Sequence, residues 1–222
     1  MASFARLDVL STILKIGLVP VFYHRNTETA KQVVMACAKG GASVVEFTNR
    51  GDNAYRVFSD LVEYFSVEMP ELILGIGSVI DPGTAALYLA SGANFVVGSI
   101  FNLEIAKICN RRKVAYIPGC TTPTEISTAE EAGVEIIKLF PGSHGGPNFV
   151  KSVLAPTPWS NIMPTGGVSP TRENLEGWFS AGAACVGMGS KLVRKDWILE
   201  ENYQAIEKLT RTTVNLIQEI RS

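Results

Sequence analysis

The sequence predicts an α/β protein with the (β/α)8 TIM-barrel fold, a single domain over residues 1–222 with a short N-terminal helix and a C-terminal amphipathic helix. Two observations predict it: short apolar runs alternate strictly with helical patterns, and eight such strand–helix units can be counted. A doubly wound open sheet is the alternative. Glycine-rich stretches follow many of the predicted strands, and no GxGxxG follows the first, so an open sheet with a dinucleotide site is disfavoured.

The eight predicted strands are short and apolar, and Gly, Pro or polar residues bound them. Apolar strands of this kind are typical of a parallel sheet that is covered on both faces. The strands are predicted at residues 17–22, 43–48, 71–75, 94–98, 114–117, 134–139, 161–164 and 183–187.

Between the strands, apolar residues recur at helical spacing, and glycine marks several helix ends. Asp81-Pro82 places proline at the first position of a helix, where its missing N–H costs nothing. The helices are predicted at residues 1–15, 28–39, 53–66, 81–91, 102–110, 124–132, 147–154, 171–181 and 200–221.

The composition is that of an ordinary soluble globular protein, with 46% hydrophobic and 18% charged residues and a formal net charge of −1. A net charge near zero disfavours broad binding to nucleic acid or anionic membranes, so a bound anion must be held by local groups. No apolar run reaches the roughly 18 residues that a membrane helix needs. The expected location is the cytoplasm.

The cysteines and histidines do not predict a metal site. The four cysteines form no CxxC pair and are expected to be buried, reduced thiols. The two histidines, His24 and His144, are too few for a typical zinc site, and no carboxylate–histidine cluster has metal spacing.

Lys138 ends the sixth predicted strand. Alternation places it on one face with Val134 and Ile136, and places Ile137 and Leu139 on the other. One interpretation is a strand-end lysine whose stem packs on apolar surface while its ammonium reaches water. The other is a desolvated amine that attacks a carbonyl and forms a Schiff base. Functional groups of a barrel lie at the carboxyl ends of its strands, which favours the second interpretation.

Glu46, Thr48 and Arg50 occupy alternate positions at the end of the second predicted strand, so all three point inward if the strand stays extended. A carboxylate inside an apolar barrel is costly unless it is paired or functional. A structural Glu46–Arg50 ion pair is one interpretation. The other assigns proton transfer to Glu46 and makes Arg50 a bidentate clamp for a carboxylate, with its charge disfavouring the ammonium form of Lys138.

Two glycine turns after the last two strands predict a phosphate site. Thr165-Gly166-Gly167 follows the seventh strand, and Gly187-Met188-Gly189-Ser190 follows the eighth. Glycine lets backbone N–H groups approach an anion closely, and the loops after strands seven and eight are the recurrent phosphate site of barrels. Either turn alone is a weak signal, because Gly-Gly commonly just turns the chain.

Two further stretches follow predicted strands. Gly75-Ile76-Gly77-Ser78 is either a plain turn or a close-approach loop in which Ser78 donates to a substrate carboxylate. Ser143-His144-Gly145-Gly146 is a candidate flexible lip after Lys138, and His144 is not assigned a catalytic role. The Arg111-Arg112-Lys113 run suits a helix C-terminus and is expected to be a solvated face.

In chain order, these motifs resemble those of the class I aldolases that cleave 2-keto-3-deoxy-6-phosphogluconate and, in many bacteria, 4-hydroxy-2-oxoglutarate: the KDPG/KHG aldolase family. The resemblance runs from about Val19 to Val193. It rests on Val19-Pro20-Val21, Glu46-Phe47-Thr48-Asn49-Arg50, Gly75-Ile76-Gly77-Ser78-Val79, Pro118-Gly119-Cys120-Thr121-Thr122-Pro123-Thr124-Glu125, Lys138-Leu139-Phe140-Pro141 and Pro164-Thr165-Gly166-Gly167-Val168.

The resemblance implies that Lys138 is the Schiff-base lysine and Glu46 the acid/base. Arg50 and the Ser78 hydroxyl would bind the pyruvyl carboxylate, and Gly166-Gly167 would bind the phosphate with the serine after strand eight. It also implies a homotrimer that uses no metal and no organic cofactor. The remaining pocket and phosphate contacts are expected from Thr48, Phe140, Pro141, Thr165, Gly189 and Ser190.

The chain departs from the family pattern at three places. Ser78 stands where the family often has threonine, and serine keeps the hydroxyl. Gly98-Ser99 stands where Ser-Pro is frequent, so that wall of the pocket is expected to differ. Gly187-Met188-Gly189-Ser190 replaces the usual Gly-Gly-Ser and is closer to the relatives that cleave the phosphogalactonate epimer, which concerns stereochemistry at C4.

The predicted function is cleavage of 2-dehydro-3-deoxy-6-phosphogluconate to pyruvate and glyceraldehyde 3-phosphate, with 4-hydroxy-2-oxoglutarate as a second candidate substrate. An aldolase for the phosphogalactonate epimer is one alternative. A phosphosugar epimerase or isomerase is another, but it needs two acid/base groups across one carbon and only Glu46 is well placed. A non-catalytic phosphosugar-binding protein has no reason to keep an inward lysine beside Glu46 and Arg50.

Overall fold

The computed structural model describes residues 2–222, which form an α/β fold. Its strands are β1 (Leu18–Phe22), β2 (Val44–Thr48), β3 (Ile73–Gly77), β4 (Phe95–Val97), β5 (Ala115–Ile117), β6 (Gly119–Cys120), β7 (Ile137–Leu139), β8 (Ile162–Pro164) and β9 (Val186–Met188). Its helices are α1 (Arg6–Ile16), α2 (Thr27–Lys39), α3 (Ala54–Glu68), α4 (Pro82–Ala90), α5 (Leu103–Arg112), α6 (Pro123–Glu131), α7 (Gly142–Leu154), α8 (Arg172–Ser180), α9 (Lys195–Leu199) and α10 (Tyr203–Arg221).

The strands form two parallel sheets. Six strands lie in the order β5-β4-β3-β2-β1-β9, and three lie in the order β6-β7-β8. A bridge between Thr165 and Gly187 connects the end of β8 to β9, and the Ala184 N–H donates to the Ile162 carbonyl at 2.9 Å. The predicted α/β class with parallel strands is therefore confirmed.

Alternation along the strands divides their side chains between two apolar clusters. One cluster joins the strands to the surrounding helices and contains the outward-pointing Ile137 and Leu139, as predicted. The other contains no residue of α2–α10, only residues in or beside the strands together with three from α1. Its members are Val9, Leu10, Ile13, Val19, Val44, Ile73, Phe95, Val97, Ala115, Ile117, Ile136, Met163 and Cys185. Since many of these strand residues lie near the starts of their strands, α1 packs across the amino ends of the sheet.

Hydrogen bonds fix α1 in this position. The Arg6 guanidinium donates to Asn110 Oδ1 at 2.6 Å, to the Gly133 carbonyl at 2.6 Å and to Glu135 Oε2 at 2.7 Å. Asn94 Oδ1 accepts hydrogen bonds from the backbone N–H groups of Ser3 at 2.8 Å and Phe4 at 3.2 Å. With α1 covering the amino ends, the carboxyl ends of the strands are left for a site.

The ends of two strands concern this site: β2 ends where it was predicted to end, and β3 does not. β2 ends at Thr48, so the predicted inward parity does not extend to Arg50. β3 begins and ends two residues later than predicted, which places Gly75 and Gly77 inside the strand. Glycine has low strand propensity, so the sequence favoured an early strand end there.

Other boundaries differ through local breaks that periodicity does not reveal. The fifth predicted strand resumes after Pro118 as β6. α7 already begins at Gly142 and is kinked at Gly146, where φ is 60°, so the predicted flexible lip is a helical turn. The predicted strand at 134–139 is ordered as β only over β7, and Val134 packs with the helix-facing cluster instead of sharing a face with Ile136.

Near the end of the chain, the predicted helix at 200–221 is α10, and the short helix α9 that precedes it was not predicted. The predicted first helix at 1–15 is α1, and Met1 lies outside the described residues. All four cysteines are buried and free, as predicted. Over residues 2–222, none of the helices combines the length and the apolar character required to cross a membrane.

Candidate active site

Lys138 lies in the middle of β7, in register with Gly119 of β6 and Met163 of β8. Its residue surface is only 6% exposed. Its Nζ lies 3.6 Å from Glu46 Oε1 and 5.3 Å from the centroid of the Phe140 ring. The ammonium therefore does not reach open water, which removes the interpretation of Lys138 as a solvated strand-end lysine.

Glu46 lies in β2 and is completely buried. Neither of its carboxylate oxygens accepts a hydrogen bond from residues 2–222. Burial raises the pKa of the Glu46 carboxyl above its usual range, while nearby Lys138 and, more weakly, Arg50 oppose that rise. The ion-pair partner that the structure gives Glu46 is Lys138 and not Arg50. A buried carboxyl that holds a proton beside an amine is suited to acid/base chemistry.

Gly77 makes the space for the Glu46 carboxylate. The two residues belong to paired strands, with Thr48 opposite Gly77 and Glu46 opposite Gly75. A Cβ added at Gly77 would collide with Glu46 Oε1, and one added at Gly75 would collide with the Phe95 ring. The sequence suggested that these glycines form a turn. They are instead strand residues, and their lack of a side chain leaves space for Glu46 and Phe95.

The residues predicted to accompany Glu46 have different environments: Thr48 is inside β2, whereas Arg50 and Ser78 lie just past the ends of their strands. Thr48 is buried, and its hydroxyl donates to the Phe22 carbonyl at 3.2 Å. Arg50 is exposed and lies past the strand end, yet its side chain still lines the cavity described below. Ser78 is half-buried with a left-handed φ of 61°. The Asn49 N–H donates to the Gly77 carbonyl at 2.8 Å, which places Ser78 beside the end of β2.

A cavity of about 720 Å³ opens at the carboxyl ends of the strands, within the usual size range of small-molecule sites. It contains Thr48, Arg50, Phe140 and Thr165 from the predicted site. It also contains both predicted phosphate turns. The residues that line it are Val21, Phe22, Tyr23, Thr48, Arg50, Phe140, Thr165, Gly166, Gly167, Val168, Ser169, Gly187, Gly189, Ser190, Lys191, Val193, Lys195 and Ile198.

The two glycine turns present backbone donors to this cavity. Gly166 and Gly167 have φ values of 88° and 76°, a conformation that glycine adopts at no steric cost. The N–H groups of Gly166, Gly167 and Ser190 donate to no residue among 2–222. Thr165 Oγ1 is buried and likewise lacks a partner among those residues. Unpaired donors around a concave surface are typical of an anion site.

Four predicted site residues do not line this cavity: Lys138, Glu46, Ser78 and Pro141. Lys138 and Glu46 lie next to it, since Lys138 is close to Phe140 and Glu46 is two residues before Thr48 on β2. Pro141 is exposed.

Sequence reasoning missed four polar lining residues: Tyr23, Ser169, Lys191 and Lys195. Tyr23 directly follows β1, and Lys191 directly follows the Gly189-Ser190 turn. Position after a strand could have indicated both. Lys195 and Ser169 lie farther along their loops and carry no such signal.

Fold and site together define an α/β protein with a buried lysine–carboxylate pair beside a cavity with unpaired backbone donors at the carboxyl ends of parallel strands. A family model described as KDPG and KHG aldolase matches residues 9–209. The chain belongs to the KDPG and KHG aldolase family, as the motifs predicted.

Individual relatives are named for different activities. The chain is 36% identical over 195 residues to the 2-dehydro-3-deoxy-6-phosphogalactonate aldolase of Escherichia coli K12, with 86% of this chain and 91% of the relative covered. It is 30% identical over 206 residues to the KHG/KDPG aldolase of the same strain, with 91% and 93% covered. Among solved structures, the KDPG aldolase of Legionella pneumophila, with pyruvate captured at low pH as a covalent carbinolamine intermediate, matches at a TM-score of 0.84 and 26% identity, covering 92% of this chain and 97% of that one.

Proposed function

We propose that this protein is a class I aldolase that cleaves 2-dehydro-3-deoxy-6-phosphogluconate to pyruvate and glyceraldehyde 3-phosphate. The observation that carries the proposal is the buried amine of Lys138, 3.6 Å from the buried carboxylate of Glu46, in a chain of this family. Burial raises the pKa of the Glu46 carboxyl, so a group that can hold a proton lies beside the amine that would attack the substrate carbonyl.

The reaction begins when Lys138 Nζ attacks the C2 ketone of the substrate. Loss of water gives an iminium ion, which accepts the electron pair of the C3–C4 bond. The C4 hydroxyl proton passes to Glu46 through a water molecule, and the aldehyde leaves. The resulting enamine is protonated at C3, and hydrolysis of the iminium releases pyruvate and restores the Lys138 amine.

The rest of the cavity serves to bind the two ends of the substrate. Arg50 and Ser78 bind the pyruvyl carboxylate, in keeping with the position of both beside the end of β2. Phosphate is bound by the backbone donors of the two glycine turns, which are unpaired within residues 2–222. Three residues form the walls of the pocket in this proposal: Thr48, Phe140 and Thr165.

Borohydride reduction in the presence of pyruvate, followed by peptide mass spectrometry, tests the proposal. A pyruvyl adduct on Lys138 is expected, because borohydride reduces an iminium ion irreversibly. Lys138→Ala should abolish both the adduct and turnover. Glu46→Gln should still form the adduct but slow turnover by about 10²- to 10⁴-fold, the usual contribution of a positioned acid/base. The absence of an adduct on wild-type Lys138 would remove the imine mechanism.

The phosphogalactonate epimer is the second candidate substrate. Two observations favour it: the 36% identity to an aldolase named for that substrate, and the Gly187-Met188-Gly189-Ser190 turn. A comparison of kcat/KM for the two epimers, with pyruvate release coupled to lactate dehydrogenase, decides between them. The epimers differ at C4, so the ratio of the two kcat/KM values depends on how the pocket wall contacts C4 and not on the imine chemistry at C2.

We infer further that residues 1–222 form one domain whose two sheets close into a single (β/α)8 barrel. Only Pro118 separates β5 from β6, which makes them two halves of one strand. The Thr165–Gly187 bridge joins the other edges of the two sheets. Counted in this way, the barrel that we infer has eight strands, the number expected of this fold.

We also propose a cytoplasmic homotrimer. The family resemblance supports the trimer, and so does a group of partly exposed apolar side chains on and beside α4 and α5: Ile80, Leu87, Ile100 and Leu103. Four free cysteines and a phosphorylated substrate suit a reducing compartment.

A further inference from the structure

The cavity concentrates positive charge. Arg50, Lys191 and Lys195 line it, and no Asp or Glu is among its lining residues in the described part of the chain, 2–222. The whole chain has a formal net charge of −1, so the excess of cations is local to the site. A concave surface lined by one sign of charge favours ligands that carry several charges of the other sign.

Lys191 and Lys195 have no carboxylate partner within residues 2–222. Arg194, which lies between them in sequence, is engaged: it pairs with Asp196 and lies 4.7 Å over the Trp197 ring. Arg194 does not line the cavity. Of the three cations in this short segment, the two that line the cavity are thus the two without a carboxylate partner.

The segment that carries these lysines is anchored to the Gly189-Ser190 turn. The Gly189 carbonyl accepts from the Leu192 N–H at 2.9 Å and from the Val193 N–H at 3.0 Å. Leu192 and Val193 are buried, so the backbone that follows this turn is held in place. Lys191 directly follows Ser190, and Lys195 begins α9. Both ammonium groups therefore approach the cavity from the wall that carries the phosphate turns.

Arg50 approaches from a different wall. It follows β2, whereas Lys191 follows β9, and β1 lies between these two strands. Two strand spacings separate β2 from β9, about 10 Å in all. Cations at this separation suit an elongated ligand with an anionic group at each end.

We propose that Lys191 and Lys195 bind the distal phosphate of the substrate and make the site select keto acids that end in a phosphate over those that end in a carboxylate. The proposal rests on the proposed function and specifies its substrate class. Backbone N–H groups of the glycine turns fix the positions of the phosphate oxygens. The two ammonium groups add positive charge, and this charge stabilises a bound dianion more than a bound monoanion.

Kinetics of single Lys191→Gln and Lys195→Gln variants and of the double variant test this selection. Each single change should raise the KM for the phosphorylated keto acid roughly tenfold, the size of one charge-assisted hydrogen bond. The KM for 4-hydroxy-2-oxoglutarate, whose distal group is a carboxylate, should rise several-fold less. Lys208→Gln removes the same charge from α10, away from the cavity, and should change neither KM.

Equal losses for both substrates, or no loss for either, would overturn the selection. A general effect of net charge would appear equally in the Lys208 variant. In wild type, the KM for the phosphorylated substrate should also rise with ionic strength more than it does in the double variant, since salt screens exposed charges.

Titration calorimetry with inorganic phosphate separates this proposal from the aldolase mechanism, because it needs no turnover. The double variant should bind phosphate at least tenfold more weakly than wild type or the Lys208 variant. Equal affinities would overturn the lysine assignment even where wild type gives the pyruvyl adduct on Lys138. Weaker phosphate binding without any adduct would support the lysine assignment and remove the aldolase proposal.

Discussion

At the scale of single residues, the environment of the Glu46 carboxylate is unusual. It is fully buried, it receives no hydrogen bond from residues 2–222, and its nearest cation is 3.6 Å away. Burying a charge without hydrogen bonds is costly, so the residue is poorly explained by stability. The role in proton transfer that we propose for Glu46 would account for its presence.

The raised pKa of Glu46 predicts how stability depends on pH. The folded protein holds this proton more tightly than the unfolded chain, so stability is fully present below the unfolded pKa of about 4.3 and is lost as pH rises through the higher folded pKa. Glu46→Gln has no such proton to lose. The free energy of unfolding of the variant minus that of wild type should therefore increase with pH, as urea titrations between about pH 4 and about pH 8 can measure.

Titrating groups shared by the two proteins largely cancel in that difference. A difference that stays constant or decreases as pH rises would contradict the raised pKa of Glu46. It would also weaken its assignment as the group that accepts the C4 hydroxyl proton.

The sequence predicted residue pairs only where the backbone stayed regular. Lys138 and Glu46 were expected to face inward, and strand alternation holds at both. Arg50 was expected to share their parity, but β2 ends at Thr48. Lys195 escaped notice because its approach to the cavity depends on how the chain folds back after β9, which periodicity does not encode.

At the scale of elements, β3 contributes to the site through two residues without side chains, Gly75 and Gly77. Its two glycines leave space for Glu46 and Phe95. Glycine lowers the strand propensity of β3, and its pairing with β2 on one side and β4 on the other offsets this. The sequence showed the glycines but not their purpose, because the neighbours that fill the space come from other strands.

Gly77→Ala should destabilise the protein and impair the site together. The new methyl group would overlap the Glu46 carboxylate, and overpacking of this kind costs about 1–3 kcal/mol. Turnover should fall more than the amount of folded protein does, because Glu46 is displaced. Urea unfolding and kcat on the same preparations measure the two effects.

Gly177 offers the matched control. It lies inside α8, and a Cβ there would meet only Pro147 Cγ at 3.7 Å, an ordinary contact. Gly177→Ala should leave turnover unchanged and stabilise the protein by up to about 1 kcal/mol. If both alanine variants behaved alike, the steric argument for Gly77 would be wrong.

At the scale of the whole molecule, the two ends of the strands have different tasks. α1 fills the amino ends with Val9, Leu10 and Ile13, and the cavity with its neighbouring amine occupies the carboxyl ends. The alternation of strands and helices predicted this arrangement, since the carboxyl ends of parallel strands meet at one side of the molecule. The sequence did not predict that α1 packs on the opposite side, because an amphipathic helix does not reveal which surface it covers.

Ile13→Ala should cost about 2–5 kcal/mol of unfolding free energy, because the side chain is fully buried between α1 and the strands. The folded fraction should still give the pyruvyl adduct, since the change lies at the far end of the strands from Lys138. Leu7→Ala on the same helix is the control. Leu7 is 75% exposed, so the free energy should change by less than about 0.5 kcal/mol. Urea unfolding measures both.

The packing of α1 across the amino ends has a consequence for how such a protein diverges. A substitution there acts mainly on folding, whereas one at an exposed position in the turns after β8 or β9 acts mainly on the surface of the cavity. On the role that we propose for Lys191 and Lys195, selection can exchange one substrate for another by altering these lysines and the turn before them while the opposite end keeps the chain folded. Descendants with new specificities need not rebuild the scaffold or the imine-forming lysine.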